Sequence, residues 1–67
     1  MIYYVNKNPQ FNWDHEVHTN TCSRLPEPAN RINLWEHTSC KTAVQEEKKY
    51  FPQANGCYYC SNACHTQ

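Results

Sequence analysis

Asn55-Gly56-Cys57-Tyr58-Tyr59-Cys60 places two cysteines two residues apart near the end of the chain, and His18-Thr19-Asn20-Thr21-Cys22 sets a second donor pair far upstream. Zinc takes four nitrogen or sulfur ligands in a tetrahedron. Two short pairs, each bent around the ion by a few residues, meet that need at little ordering cost. Asn55-Gly56 predicts a tight turn that delivers Cys57, with the glycine letting the backbone curl toward the metal. The expectation is one Zn2+ bound by His18, Cys22, Cys57 and Cys60. A Cys-x2-Cys alone also fits a thiol-redox pair or a disulfide framework. Its pairing with His-x3-Cys favours the metal.

The rest of the chain explains why such a staple is needed. Only nine of 67 residues are Ile, Leu, Val or Phe, a share below the level of about 20% at which chains begin to look disordered. Disorder also calls for a large net charge, and here six basic side chains balance six acidic ones. One domain, residues 1–67, is all the length allows. The candidate core is short: Ile2, Val5, Phe11, Trp13, Val17, Leu25, Ile32, Leu34, Trp35, Val44 and Phe51. Domains of this size usually carry a metal or disulfides, and structural zinc contributes on the order of 10–16 kcal/mol to the folding of small finger peptides.

The local pattern predicts an α+β domain with two or three short strands, one helix and a C-terminal cysteine knuckle. Residues 2–5 are rich in β-formers, 15–19 alternate weakly, and 31–34 alternate polar with apolar. Pro26 and Pro28 impose an irregular path between them. The helix is expected from about Ser39 to Phe51, capped by Thr38 or Ser39 and stopped by Pro52. Cys40, Ala43, Val44, Glu47, Tyr50 and Phe51 fall on its inner side, Glu47 being the polar exception, while Glu46, Lys48 and Lys49 form a solvated outer surface.

Redox compartment bears on the choice of staple. Met1-Ile2-Tyr3-Tyr4-Val5-Asn6-Lys7 has no basic start followed by an apolar run, so a secretory signal is not expected, and no stretch has transmembrane length. A cytoplasmic location with reduced thiols follows as the default. Five cysteines cannot all pair within one chain, which again favours metal ligation. Cys40, Cys64, His65 and His15 remain. Cys40 reads first as a small buried core residue. A Cys40–Cys64 bridge pinning the tail to the helix is an alternative, and a second metal site from Cys40, Cys64, His65 and His15 is another. Cys64 could also replace one of the zinc ligands. If residues 15–18 are extended, His15 and His18 point to opposite faces, and His18 is preferred for its spacing to Cys22.

Val17-His18-x3-Cys22-x2-Leu25-Pro26, then Asn30, a helix with Ala43-Val44, and Gly56-Cys57-x2-Cys60 together resemble the zinc-binding domain of the Ada DNA-repair protein. The same pattern also resembles the related small zinc modules appended to some bacterial nucleases. The pattern is also similar to short, uncharacterised stand-alone bacterial proteins, a likeness that implies no known activity. The resemblance covers about residues 17–60 and implies a compact β-plus-helix fold around one tetrahedral zinc. In the Ada domain the first ligand is a cysteine that also accepts a methyl group from damaged DNA phosphate. Here that position is His18, and an imidazole is a sound ligand but not a thiolate nucleophile. Methyl transfer is therefore not carried over.

Charge argues against nucleic acid as well. Three thiolates and a divalent ion would take the formal charge from 0 to −1, whereas phosphate neutralisation dominates DNA affinity. Trp13, Trp35, Tyr58 and Tyr59 could stack on bases, but covering the metal site and filling the core is the expected role. No acid/base pair, Ser/His/Asp arrangement or phosphate loop is present, so an enzyme is not expected. The leading expectation is a non-catalytic structural-zinc interaction module with a protein partner and no membrane. The alternatives are a disulfide-stapled or thiol-redox protein and an Ada-like nucleic-acid-binding domain.

Overall fold

The computed structural model describes residues 1–10 and 12–66. Five elements follow in chain order: β1 (Ile2–Asn6), β2 (His15–Thr19), β3 (Arg31–Glu36), α1 (Cys40–Glu47) and β4 (Ala54–Gly56). Short 3-10 turns at Pro28–Asn30 and Asn62–Cys64 complete the path. The fold is small and α+β, as the pattern predicts, but its sheet has four strands in the order β3-β1-β2-β4. β1 pairs antiparallel with both β2 and β3, and β2 pairs parallel with β4. The expected turn at Asn55-Gly56 is therefore a strand. Gly56 is not there for a left-handed conformation. It is there because a Cβ would lie 2.6 Å from Ser61 O and 2.8 Å from Cys64 Cβ, so only glycine admits the following segment.

Strand alternation sorts the side chains between two faces. Tyr3, Val5 and Val17 share one face through the register Tyr3↔Thr19 and Val5↔Val17. With Leu34, Cys40, Ala43, Val44 and Ala54 they form the core under α1. Tyr4 and His18 are directly paired on the opposite face. α1 begins where expected, with Ser39 Oγ accepting from Lys41 N–H as the N-cap. It ends at Glu47, four residues earlier than the periodicity predicts. Lys49 N–H donates to Glu46 O and Tyr50 N–H to Glu47 O, tightening the last turn, and Pro52 disfavours helical geometry at Phe51.

The aromatic expectations fail in one consistent direction. Trp13, Trp35, Tyr58 and Tyr59 are exposed, and so is Ile32; the core is filled by the expected Val5, Val17, Leu34 and Val44 together with small residues and Tyr3. Phe11, expected in the core, lies outside the described residues. Both tryptophans hold positive φ, 74° at Trp13 and 65° at Trp35, a region that bulky side chains rarely adopt.

Cys40 is buried in the core, as the first reading has it, but it is also disulfide-bonded to Cys64. The bridge ties α1 to the turn after the knuckle and corrects the expectation that the thiols stay reduced. It removes both cysteines from any second metal site. His65 and His15 are engaged elsewhere: His65 Nδ1 lies 2.9 Å from Gly56 O, and His15 stacks on Phe51 at 4.0 Å between centroids. Closing a loop of this length constrains the unfolded chain. The double variant Cys40→Ala/Cys64→Ala is expected to lose about 2–4 kcal/mol in denaturant unfolding relative to the oxidised protein.

Glu47 is the polar exception on the inner face, and it is buried at 2% exposure. Burial, and then the neighbouring Glu46, push its carboxyl above its ordinary value, while His15 opposes them. The folded protein thus holds this proton more tightly than the unfolded chain does. That contribution to stability is complete below the ordinary pKa of 4.5 and is lost as pH rises through the raised value. Glu47→Gln should therefore stabilise the protein more at pH 7 than at pH 4 in matched denaturant titrations. An equal gain at both values would contradict it.

Candidate metal centre

Parallel pairing of β2 with β4 brings the two half-sites together. His15↔Ala54 and Val17↔Gly56 set the register, and Cys57 N–H donates to Val17 O. His18 near the end of β2 and Cys57 just past β4 therefore emerge side by side. Cys22 returns through a turn in which its N–H donates to Thr19 O, and Cys60 through one in which Ser61 N–H donates to Cys57 O. One ligand atom from each of His18, Cys22, Cys57 and Cys60 lies within 4.8 Å of the others. Cys22 Sγ and Cys57 Sγ are 3.9 Å apart, and His18 Nδ1 is 4.0 Å from Cys60 Sγ. A tetrahedron with metal–sulfur bonds of about 2.3 Å has edges of about 3.8 Å. The cluster could hold a metal ion without large rearrangement. All four residues that the spacing singles out are assembled here, and Cys64 does not take a ligand's place.

The donor chemistry also fits. His18 is almost fully buried, and burial lowers its pKa, which favours the neutral imidazole a metal requires. Burial pushes the Cys22 thiol up to about 12 and raises Cys57 as well. Burial also opposes ionisation of Cys60, but Thr19 N–H, Cys22 and Ser61 hydrogen-bond to its sulfur and bring it below the ordinary value. Cys60 is thus the thiol readiest to ionise. Without a cation, three close sulfurs in this environment repel ionisation; a divalent ion reverses that balance.

The carboxylate that stands behind His18 was not singled out in the sequence. His18 Nδ1 faces the sulfurs, leaving the buried Nε2 without a hydrogen-bond partner. Glu16, two residues back on the same face of β2, brings Oε1 to 3.6 Å from that nitrogen. A carboxylate behind a ligating imidazole fixes the tautomer and the ring orientation. The i, i+2 alternation Glu16-Val17-His18 carried this signal. His15 lies on the other face with Phe51, as the extended reading of residues 15–18 requires.

The fold and this cluster define the molecule as a small Cys/His-rich α+β domain with a candidate metal centre and one disulfide. No protein-family model, curated protein or solved structure matches the chain. Among the described residues, no helix is long and apolar enough to cross a membrane.

Glu16→Gln should weaken metal affinity about 10–100-fold if Glu16 orients His18 in this way. Competition against a chromophoric chelator measures it, and an unchanged affinity would remove Glu16 from the site.

Proposed function

We propose that this protein is a non-catalytic interaction module stabilised by one structural zinc ion bound by His18, Cys22, Cys57 and Cys60. The observation that carries the reading is the closure of the ligand set: four donors from two half-sites, within 4.8 Å of one another. Structural zinc sites fill all four positions with protein ligands, whereas catalytic ones keep a position for water or substrate. Three cysteines and a histidine are a common structural set, and soft thiolates suit zinc better than magnesium or calcium. When bound, the ion would supply a fixed tetrahedral cross-link between the β2 and β4 ends of the sheet.

The spacing shared with the Ada zinc domain supports the same reading of the metal and gives no support to its chemistry. His18 replaces the cysteine that would accept a methyl group, and the neutral chain lacks the charge for phosphate binding. A second reading, a disulfide-stapled protein, is favoured by the Cys40–Cys64 bridge. The two are compatible, because the bridge uses none of the four ligands. The bridge also weakens the expectation of a reducing, cytoplasmic setting.

Native protein purified without added metal or reductant should contain about one zinc per chain, with Cys22, Cys57 and Cys60 slow to alkylate. Stripping the ion with a strong chelator should lower the melting temperature and expose those three thiols. Sub-stoichiometric metal, with a melting temperature indifferent to the chelator, would overturn the proposal.

A further inference from the structure

On the opposite sheet face from the metal cluster, a groove of about 490 Å³ runs between β3 and the C-terminal end of α1. Its walls include Ile32, Trp35, Tyr50 and Phe51, and its acidic side chains are Glu46 and Glu47. The volume lies within the range of about 300–1,000 Å³ typical of ligand sites.

Three features of this groove cost stability. Glu47 is 98% removed from solvent in a region where, among the described residues, no donor hydrogen-bonds its carboxylate and no cation lies within ion-pairing distance. His15 is nearby, but its Nδ1 sits 3.0 Å from Asn6 O. Glu46 and Glu47 also occupy the last turn of α1, where the helix dipole disfavours negative charge, and the first basic residue after them is the C-cap Lys48. Trp35, finally, sits in the left-handed region at a register shift of β3, with its indole 70% exposed. Its N–H is held by Asn33 Oδ1 at 2.7 Å, which keeps the residue in that conformation. Strained backbone and unpaired buried charge tend to be retained where a ligand uses them.

We propose that this groove recognises the guanidinium of an arginine side chain on a partner polypeptide, with Glu47 and Glu46 as counter-charges and Trp35 and Tyr50 as the stacking walls. The chemistry selects the occupant. A buried carboxylate calls for a cation that donates hydrogen bonds, and exposed aromatic faces call for a planar one. Arginine combines both, whereas the ammonium of lysine is a strongly hydrated point charge. Strand addition along β3 is disfavoured. Its Trp35 N–H is already satisfied by Asn33, and Leu34 O faces His37 Nε2 at 2.9 Å. Recognition is therefore through side chains. The groove shares no residue with the metal cluster, so arginine recognition there is independent of zinc binding.

The test is a titration of isotopically labelled native protein with acetyl-Gly-Arg-Gly-amide, followed by NMR. The matched peptides carry citrulline or lysine in place of arginine. Saturable shifts at the Trp35 indole and at the Tyr50 and Glu47 amides are expected, with a dissociation constant of about 1–10 mM for so small a probe. Citrulline, which keeps the shape and loses the charge, should bind at least about tenfold more weakly. Glu47→Gln should weaken the arginine peptide about tenfold, and Trp35→Asn about threefold. Both variants should remain folded, since one removes a buried charge and the other suits a positive φ. Equal binding of the citrulline peptide would overturn the proposal, as would shifts confined to other residues or a Glu47→Gln variant that binds like the parent. So would concentration-dependent self-association abolished by Trp35→Asn, which would make a second copy of the chain the occupant.

Discussion

The parallel register between β2 and β4 is the constraint on which the rest of this small molecule depends. Parallel neighbours cannot be joined by a tight turn and need a long crossover. Here the chain leaves β2, passes the far edge of the sheet as β3, and returns across the core face as α1 before laying down β4. That route places Cys22 near the start of the crossover and Cys57 just beyond its end. It also puts α1 over Val5 and Val17, so core and cluster are set by one pairing. Gly56 is the residue at which this arrangement tolerates no side chain, because the turn carrying Ser61 and Cys64 lies directly against it.

One disulfide, and a second cross-link where the four-donor cluster binds its ion, would secure an apolar core too small to do so alone, and they act on different faces. The disulfide clamps α1 to the C-terminal turn on the core side. The four-donor cluster gathers the ends of β2 and β4 with the turns that follow them. The disulfide restrains the segment from Cys57 to Cys64, which has little regular structure of its own, and a bound ion would restrain it further. The aromatic residues are thereby released from packing duty, and the exposed tryptophans and tyrosines follow from that division of labour.

The clustering of the four candidate ligands was legible in the sequence because short donor pairs have a geometry of their own, independent of the fold around them. The N-cap Ser39 and the strands at 2–5 and 15–19 were legible for the same local reason. What escaped was non-local. Asn55-Gly56 carries every mark of a turn, and only its partner in β2 makes it a strand. Trp13 and Trp35 read as core because hydrophobicity says nothing about a backbone held at positive φ. Glu47 showed itself as a misfit on the inner helical face, but its isolation from donors required the surrounding elements. Glu16 acquired meaning only once His18 was known to turn Nδ1 toward the sulfurs.

The separation of the cysteines has a consequence for how the chain reaches this state. Five thiols in an unfolded chain can form ten different pairs, and every one except Cys40–Cys64 would use up a cysteine of the cluster. An ion captured early by Cys22, Cys57 and Cys60 would mask three of them and leave Cys40 and Cys64 as the only partners for each other. The cluster would then act as a protecting group during oxidative folding. Order of assembly, metal before oxidation, would decide whether a cell obtains the native connectivity or a mixture of isomers.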